Sequence, residues 1–280
     1  VVQPVDPRRM PMISGTLYKT DRIDAQTLAM LGNRVADLLP TVEIRGELQQ
    51  KALVLVRSRA TAVQLRTSLV NAIRGLLKPF GVRITKDVRY SPFGDEVREL
   101  AETVGLTAAV EPLLTLWRSL NEAIKNYDKQ MEEMLPMVAP DAVHLLDISG
   151  VSTVTVLCFV ALVGDPHRFT KTRDIASYLG LCPKKDDSGE RNSELSITKA
   201  GDSYMRGLLS NCAANILGNS GKAFDLRRWG KLREGGGSRV EKRKAKVAVA
   251  RKLSVLMLTL WKTGRTYDRF YTTKQRQAAA

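Results

Sequence analysis

Cysteine and histidine are scarce in this chain of 280 residues. The three cysteines, Cys158, Cys182 and Cys212, lie 24 and 30 residues apart. They form no CxxC and cannot all pair within one chain, which excludes a disulfide framework and fits a reducing compartment. Two histidines, His144 and His167, are too few for a His-rich zinc site. Long hydrophobic runs are missing as well. The longest strongly apolar stretch, Val151 to Val163, is too short to span a bilayer, so no membrane partner is expected. No charged stretch leads into an apolar one at the start, so no secretory signal is expected and a cytoplasmic location is anticipated. Hydrophobic residues still make up 44% of the chain, enough for a packed core.

What the chain has in excess is positive charge, and it is unevenly placed. From Lys222 onward there are 17 basic and 4 acidic residues, a net +13; the residues before it hold 27 basic and 25 acidic. Nearly all of the overall +15 therefore sits in the last fifth of the chain. Such a segment attracts a polyanion because each neutralised phosphate releases counterions. Nucleic acid is the expected partner. A solvated basic tail is the plain alternative, and an anionic membrane fits less well because no long basic face with bulky apolar residues is evident.

The pattern along the chain is helical almost throughout. Residues 1–18, with three prolines and Ser14-Gly15, read as extended or loop. Thr20 precedes a helical stretch that starts at Asp21. Residues 46–77 read as one long helix: Leu48, Ala52, Leu55, Ala62, Leu69, Ile73 and Leu76 keep a 4-3 spacing, interrupted by Arg59 and Arg66. Pro79, Gly81, Pro92 and Gly94 mark a break. A second long helix carries Leu113, Trp117, Leu120, Ile124, Tyr127, Met131 and Met134 at unbroken heptad spacing, with Pro112 suited to its first turn and Pro136 ending it. Two such helices predict a helical hairpin. Their seams could form a coiled coil between copies, making the chain a homo-oligomer, or could pack within one chain.

Beyond Ala142 the texture changes. Ile148-Ser149-Gly150-Val151-Ser152 lies between two short apolar helical stretches and reads as a helix-hairpin-helix turn, whose helix-start N–H groups can hold a phosphate. Ser152 stands where such turns usually have a second glycine, and an ordinary tight connection is the alternative. A short helix from Asp174 ends at Gly180, a polar stretch follows from Pro183 to Ser196, and further helices run from about Asp202 to Leu217 and from about Lys242 to Lys262, the last capped by Gly264.

Two places could carry chemistry. Asp21 and Asp24, three apart at a helix start, put two carboxylates on one face, where a divalent cation would relieve their repulsion. From spacing alone, plain helix-start chemistry, with acidic residues favoured by the dipole, is the preferred account of them. Ser188 precedes a glycine amid Lys184, Lys185, Arg191, Lys199 and Arg206. A serine so placed could attack phosphorus while the cations stabilise the pentavalent state; no histidine stands near as a base, which argues against an acyl-transfer triad. Read without relatives, a Ser-Gly pair is a turn. Lys242, Arg243, Lys244 and Lys246 are the densest candidates for nucleic-acid contact in the basic segment.

In order, these stretches resemble the insertion-sequence transposases of the IS one-ten type, also called DEDD transposases. Lys19 to Ala25 resembles the end of that family's RNase-H-like catalytic domain. Leu145 to Val151, Val163-Gly164-Asp165, Arg168-Phe169 and Ala176 to Pro183 resemble the opening of its C-terminal transposase domain. Ser188-Gly189 and Ile197 to Arg206 resemble that domain's core, and Ala248 to Tyr267 its closing helix. The resemblance implies a mainly α chain in three parts: residues 1–45 as the remnant of an RNase-H-like α/β domain lacking its front, 46–137 as a helical hairpin, and 138–280 as a helical transposase domain with a helix-hairpin-helix-like element and a basic tail. It implies DNA cutting and rejoining at insertion-element ends, a metal-binding acidic cluster holding Mg2+ to which Asp21 and Asp24 contribute the last two ligands, and Ser188 as a nucleophile linked covalently to DNA. It also implies a structured guide RNA and a homo-oligomer. The first Asp and the Glu of the cluster would precede Asp21, where only Asp6 is acidic, so the chain alone is expected to be inactive. The alternatives are a non-enzymatic nucleic-acid-binding protein and a helical scaffold that only oligomerises.

Overall fold

Among the described residues, eleven helices follow one another in the computed structural model: α1 (Pro11–Ser14), α2 (Asp21–Arg34), α3 (Glu47–Leu77), α4 (Pro92–Thr103), α5 (Thr107–Val138), α6 (Thr153–Val163), α7 (Asp174–Tyr178), α8 (Ser203–Leu217), α9 (Asp225–Arg233), α10 (Arg239–Thr263) and α11 (Tyr271–Ala278). The structure describes all residues except 1–3, 7–9, 16–19, 37–38, 40–41, 43, 88, 90–91, 185–195, 219–222 and 279–280, and for 276–278 the backbone alone. Among the described residues there is no extended strand, only isolated bridge pairs such as Pro183 with Ile197. The chain is mainly α. Among the described residues no helix is long and apolar enough to cross a membrane.

The chain divides into two units, 1–46 and 47–280. In the first, Pro11 opens the single turn of α1, where a missing N–H costs nothing, and Met10 and Ile13 are buried. The expectation of loop throughout 1–18 is corrected by this short turn. Thr20 caps α2, its Oγ1 accepting from Ile23 N at 3.3 Å. No residue of α2 is buried.

The second unit is built on α3 and α5, helices of 31 and 32 residues that pack antiparallel along their length. Their pairing is fixed at two points: Arg59 Nε donates to Asp128 at 2.6 Å, and Arg66 to Asn121 at 2.8 Å. The arginines that interrupt the α3 spacing thus face α5. Past them Ile73 is buried as expected, but Val70 and Leu77 take the buried places expected of Leu69, which is half-buried, and Leu76, which is exposed. On α5, Trp117, Ile124 and Met131 are buried inside the chain; Leu113, Leu120, Tyr127 and Met134 are half-buried along its flank.

α4 corrects the expectation of a break around Pro92 and Gly94. Pro92 opens the helix, again where its missing N–H is harmless. Gly94 lets the helix lie against Trp117: a Cβ there would sit 3.0 Å from the indole ring. Phe93 meets the same indole at 5.2 Å between centroids. The result is a small core at one end of the hairpin, made of Val70, Ile73 and Leu77 with Phe93, Val97, Ala101, Val110 and Leu114. The two prolines of α5 also sit differently from expectation. The helix starts a turn before Pro112 and passes through Pro136 to Val138. Each proline removes one backbone donor, yet Ala139 N still closes the last turn on Leu135 O at 3.0 Å.

The other end of the hairpin enters a larger core. Ala52, Leu55 and Val56 of α3 and Met131 and Leu135 of α5 join α6, α8 and α10. α6 is buried at every position from Val154 to Val163, which accounts for the one strongly apolar run in the sequence. α10 begins at a capping box, Ser238 and Glu241 bonding each other's backbone N–H at 3.2 and 3.1 Å, and ends at Gly264 in the left-handed region. Its C-terminal turn is pinned by Trp261 Nε1 donating to Asp141 at 2.9 Å and Lys262 Nζ to Phe169 O at 2.7 Å.

Candidate functional site

The segment holding Ser188 leaves and re-enters the described structure at Lys184 and Ser196, and these ends are tied together. Lys184 N donates to Ser196 O at 3.0 Å, Thr198 N to Cys182 O at 2.9 Å, and Lys199 N to Gly180 O at 3.1 Å. Two antiparallel arms, 180–184 and 196–199, thereby form a stem. Ser188, Lys185 and Arg191 lie outside the described residues. Lys184 and Lys199 are exposed, one on each arm.

The base of the stem is a crossing with no room for side chains. Gly180 has φ +68° and Gly201 φ +71°. A Cβ on Gly180 would lie 2.2 Å from Ala200 O, and one on Gly201 would lie 2.2 Å from Tyr178 O. Lys199, between them in chain order, has φ +57°, alone among the described non-glycine residues in being positive; a Lys held there costs on the order of 1–3 kcal/mol that its surroundings must offset. Arg206, one turn into α8, donates to Leu179 O at 3.4 Å and also to Ala200 O. Its guanidinium bridges the residues at the foot of the two arms rather than standing open to solvent.

Asp202 joins this base to two helices. Its Oδ1 accepts from Met205 N at 2.7 Å and caps α8. Its other oxygen is paired with the Arg57 guanidinium of α3. Arg57 also lies over the Tyr204 ring, 5.5 Å from its centroid. Nearby, burial works against the Arg59 charge, but the hydrogen bond and charge of Asp128 outweigh it and hold that guanidinium protonated to higher pH than usual. Burial pushes the Tyr204 hydroxyl up. Burial, reinforced by the Asp202 carboxylate, pushes the Cys158 thiol up to about 12. Arg57 and Asp202 were not among the residues the sequence singled out. An Asp just before an apolar helical run is an N-cap signal, but nothing in the sequence links position 57 to position 202.

On the other side of the stem, the Arg168 guanidinium lies 4.8 and 4.7 Å from the ring centroids of Phe169 and Tyr178, and Tyr178 Oη donates to Leu162 O at 3.0 Å. The turn Ile148–Ser152 follows a 3-10 stretch, Pro140–Asp147, rather than an α-helix, and Gly150 takes φ +87°.

The basic residues of the last segment divide in two. Lys242, Arg243 and Lys244 are exposed and Lys246 half-buried on the first turns of α10. Lys252 and Arg233 instead lie over the Trp229 ring, at 4.3 and 4.4 Å from its centroid. Asp21 and Asp24 occupy the first turn of α2 in the other unit, Asp21 exposed and Asp24 half-buried. Among the described residues no group of three or more His, Cys, Asp or Glu could hold a metal ion. Two carboxylates are a partial donor set and do not by themselves complete a metal site.

Residues 142–225, which hold α6, α7, the stem and α8, match the family described as "Transposase IS116/IS110/IS902 family". The chain is 32% identical over 205 residues to the "Transposase for insertion sequence element IS1111A" of Coxiella burnetii, covering 71% of this chain and 55% of that protein. It is 28% identical over 229 residues to the "Probable family 20 transposase" of Pseudomonas aeruginosa, covering 78% and 65%. A third relative, the "Transposase for insertion sequence element IS1328" of Yersinia enterocolitica, is 29% identical over 202 residues, covering 70% and 58%. The chain spans between about half and two thirds of the length of these curated relatives.

Proposed function

Because the chain belongs to the IS116/IS110/IS902 transposase family, we propose that it is the part of a DNA-cutting and rejoining enzyme that carries the serine nucleophile. Ser188 Oγ attacks a phosphodiester phosphorus. The Ser–O–P bond forms as one P–O bond of the strand breaks, the serine proton passes to solvent, and the departing strand oxygen takes a proton from solvent to leave as a hydroxyl. Lys184 and Lys199 supply positive charge to the phosphate, and the exposed cations at the start of α10 hold the nucleic-acid backbone. Asp21 and Asp24, at the end of an RNase-H-like domain, contribute two carboxylates toward a magnesium site that this chain's described residues do not complete. DNA and a structured guide RNA are the partners.

The observation that carries this reading is the stem. Three backbone hydrogen bonds close the base of segment 185–195, and an arginine bridges the residues at the foot of the arms, so the segment's ends are held at a defined place beside two exposed lysines. A homo-oligomer belongs to the same proposal: Val54 and Met137 are 66% and 65% exposed along a groove between α3 and α5 that also includes Tyr127 and Met134. The test is a covalent adduct. Supplied with element-end DNA, RNA, magnesium and a longer family member that completes the acidic site, the wild-type chain should form a denaturation-resistant protein–DNA species, and Ser188→Ala should abolish it while leaving binding nearly intact. A wild-type chain that binds but forms no adduct would leave the non-enzymatic nucleic-acid binder as the better description.

A further inference from the structure

We infer that Arg57, a residue of the hairpin helix α3, is a positioning residue for the Ser188 segment, acting through Asp202 on the stem. The inference rests on the assignment of Ser188 as nucleophile. The path is short and each link is fixed. Arg57 pairs with Asp202. Asp202 cannot shift without breaking the cap on Met205 N or moving Gly201, whose α-carbon lies so close to the Tyr178 carbonyl that not even a Cβ fits. Ala200, the next residue back, is held through Arg206 to Leu179, at the foot of the opposite arm. Displacing Asp202 therefore displaces one arm against the other.

The pair suits a positioning role better than a purely stabilising one. The Asp202 side chain is 16% exposed but that of Arg57 is 47% exposed, and a pair this open adds little to global stability. Its worth is geometric: α3 is about 46 Å long at 1.5 Å per residue, and Arg57 is its charged contact with the stem base. Whatever holds α3 in place is thereby felt where the segment begins and ends.

The test uses the full chain with three single variants and one double variant, and reads amide exchange, adduct formation and DNA affinity. Amide exchange is measured at Lys184, Thr198 and Lys199, whose N–H groups close the stem. Arg57→Ala should speed their exchange about tenfold or more and slow adduct formation by a similar factor, with DNA affinity unchanged. Arg57→Lys, which keeps the charge, should restore much of both. Asp202→Asn keeps the α8 cap but loses the charge, and should match Arg57→Ala; the double variant should be no worse than either single one. The inference is overturned if stem exchange is unchanged in Arg57→Ala, if exchange in α10 rises equally (a global loss of stability), or if the stem loosens with the adduct rate intact. With the acidic site completed by a longer family member, a wild-type chain that makes no adduct refutes the Ser188 assignment, and with it the positioning role, whatever the stem amides do.

Discussion

Gly201 and Gly207 lie six residues apart, one at the stem base and one on α8, and alanine should act on them in opposite directions. At Gly201 the backbone has φ +71°, and a Cβ would lie 2.2 Å from the Tyr178 carbonyl oxygen. The left-handed conformation costs a non-glycine residue about 1–2 kcal/mol. The clash is with backbone, so relief requires moving the α7 end or the stem, at the roughly 1–3 kcal/mol typical of overpacking. Together these predict a loss of at least about 2 kcal/mol. At Gly207 nothing lies within 4 Å of the added carbon, and the residue is exposed in mid-helix, so alanine should gain about 0.5–1 kcal/mol. For a unit of this size about 2–4 °C of Tm corresponds to each kcal/mol. Gly201→Ala should therefore lower Tm by at least about 4 °C, and Gly207→Ala should raise it by about 1–4 °C, in thermal unfolding followed by far-UV circular dichroism. Faster amide exchange at Lys199 in Gly201→Ala should accompany the loss. Equal Tm values for the two variants, or a stabilised Gly201→Ala, would refute the crossing geometry.

Four further outcomes are expected. Cys158 and Cys212 are buried, and burial raises both thiols, the first to about 12, so a thiol reagent at pH 8 should titrate one native cysteine, Cys182, and reach the others only on unfolding; two thiols reacting at similar native rates would contradict this. Burial works to raise the Asp225 carboxyl, but hydrogen bonds from the Thr273 hydroxyl and amide outweigh it and hold the group below its ordinary 3.8. Its contribution is thus present above that value and lost as pH falls through the lower folded one, and Asp225→Asn should flatten the wild-type decline in Tm over that acid range. Replacing Lys242, Arg243, Lys244 and Lys246 by alanine should reduce the slope of log K against log salt for duplex DNA by about 0.9 for every phosphate no longer neutralised, and an unchanged slope would remove α10 from the interface. Asp128→Ala leaves Arg59 in the seam without its carboxylate and should destabilise the chain more than the double change Arg59→Leu with Asp128→Leu, as chemical denaturation would show.

Periodicity carried much of the fold, and its failures are instructive. α3, α5 and α10 could be read from apolar spacing because each buries one continuous face, although the ends of α5 overran the prolines expected to mark them. α4 could not, because Pro92 and Gly94 read as breakers when taken singly. Only the indole of Trp117 explains the glycine, and that indole comes from another helix. The seam of α3 departs from the expected track at its end for a similar reason: a heptad count cannot see which of Leu76 and Leu77 enters the small core with Phe93 and Leu114. At the site, the sequence supplied the charged and nucleophilic side chains, which are local features. It did not supply the device that holds their segment. Arg57 and Asp202 are 145 positions apart, and Arg206, legible as a cation, is spent on two carbonyls.

The polar layers in the hairpin follow from the same need to fix one arrangement. Arg59 and Arg66 are one heptad apart on α3, as are Asn121 and Asp128 on α5. The register that pairs them sets Ala52 opposite Leu135 and Ile73 opposite Leu114, one heptad further out on each side. All four of these outer residues are buried. Two long apolar helices could slide by a heptad and still bury a seam, because leucine accepts many partners. A slip here would bring Arg66 against Leu114 or Arg59 against Leu135 and strand a charge, which is costly in a packed seam. The arrangement has its own cost: burial lowers the Arg66 pKa, with the Arg59 charge adding to the effect, and Arg66 Nε has no hydrogen-bond partner among the described residues. Such a cost is intelligible if axial position matters more than stability. It does matter if Arg57, two residues from the first polar layer, must meet Asp202, since a slip of one heptad would carry it about 10 Å from the stem.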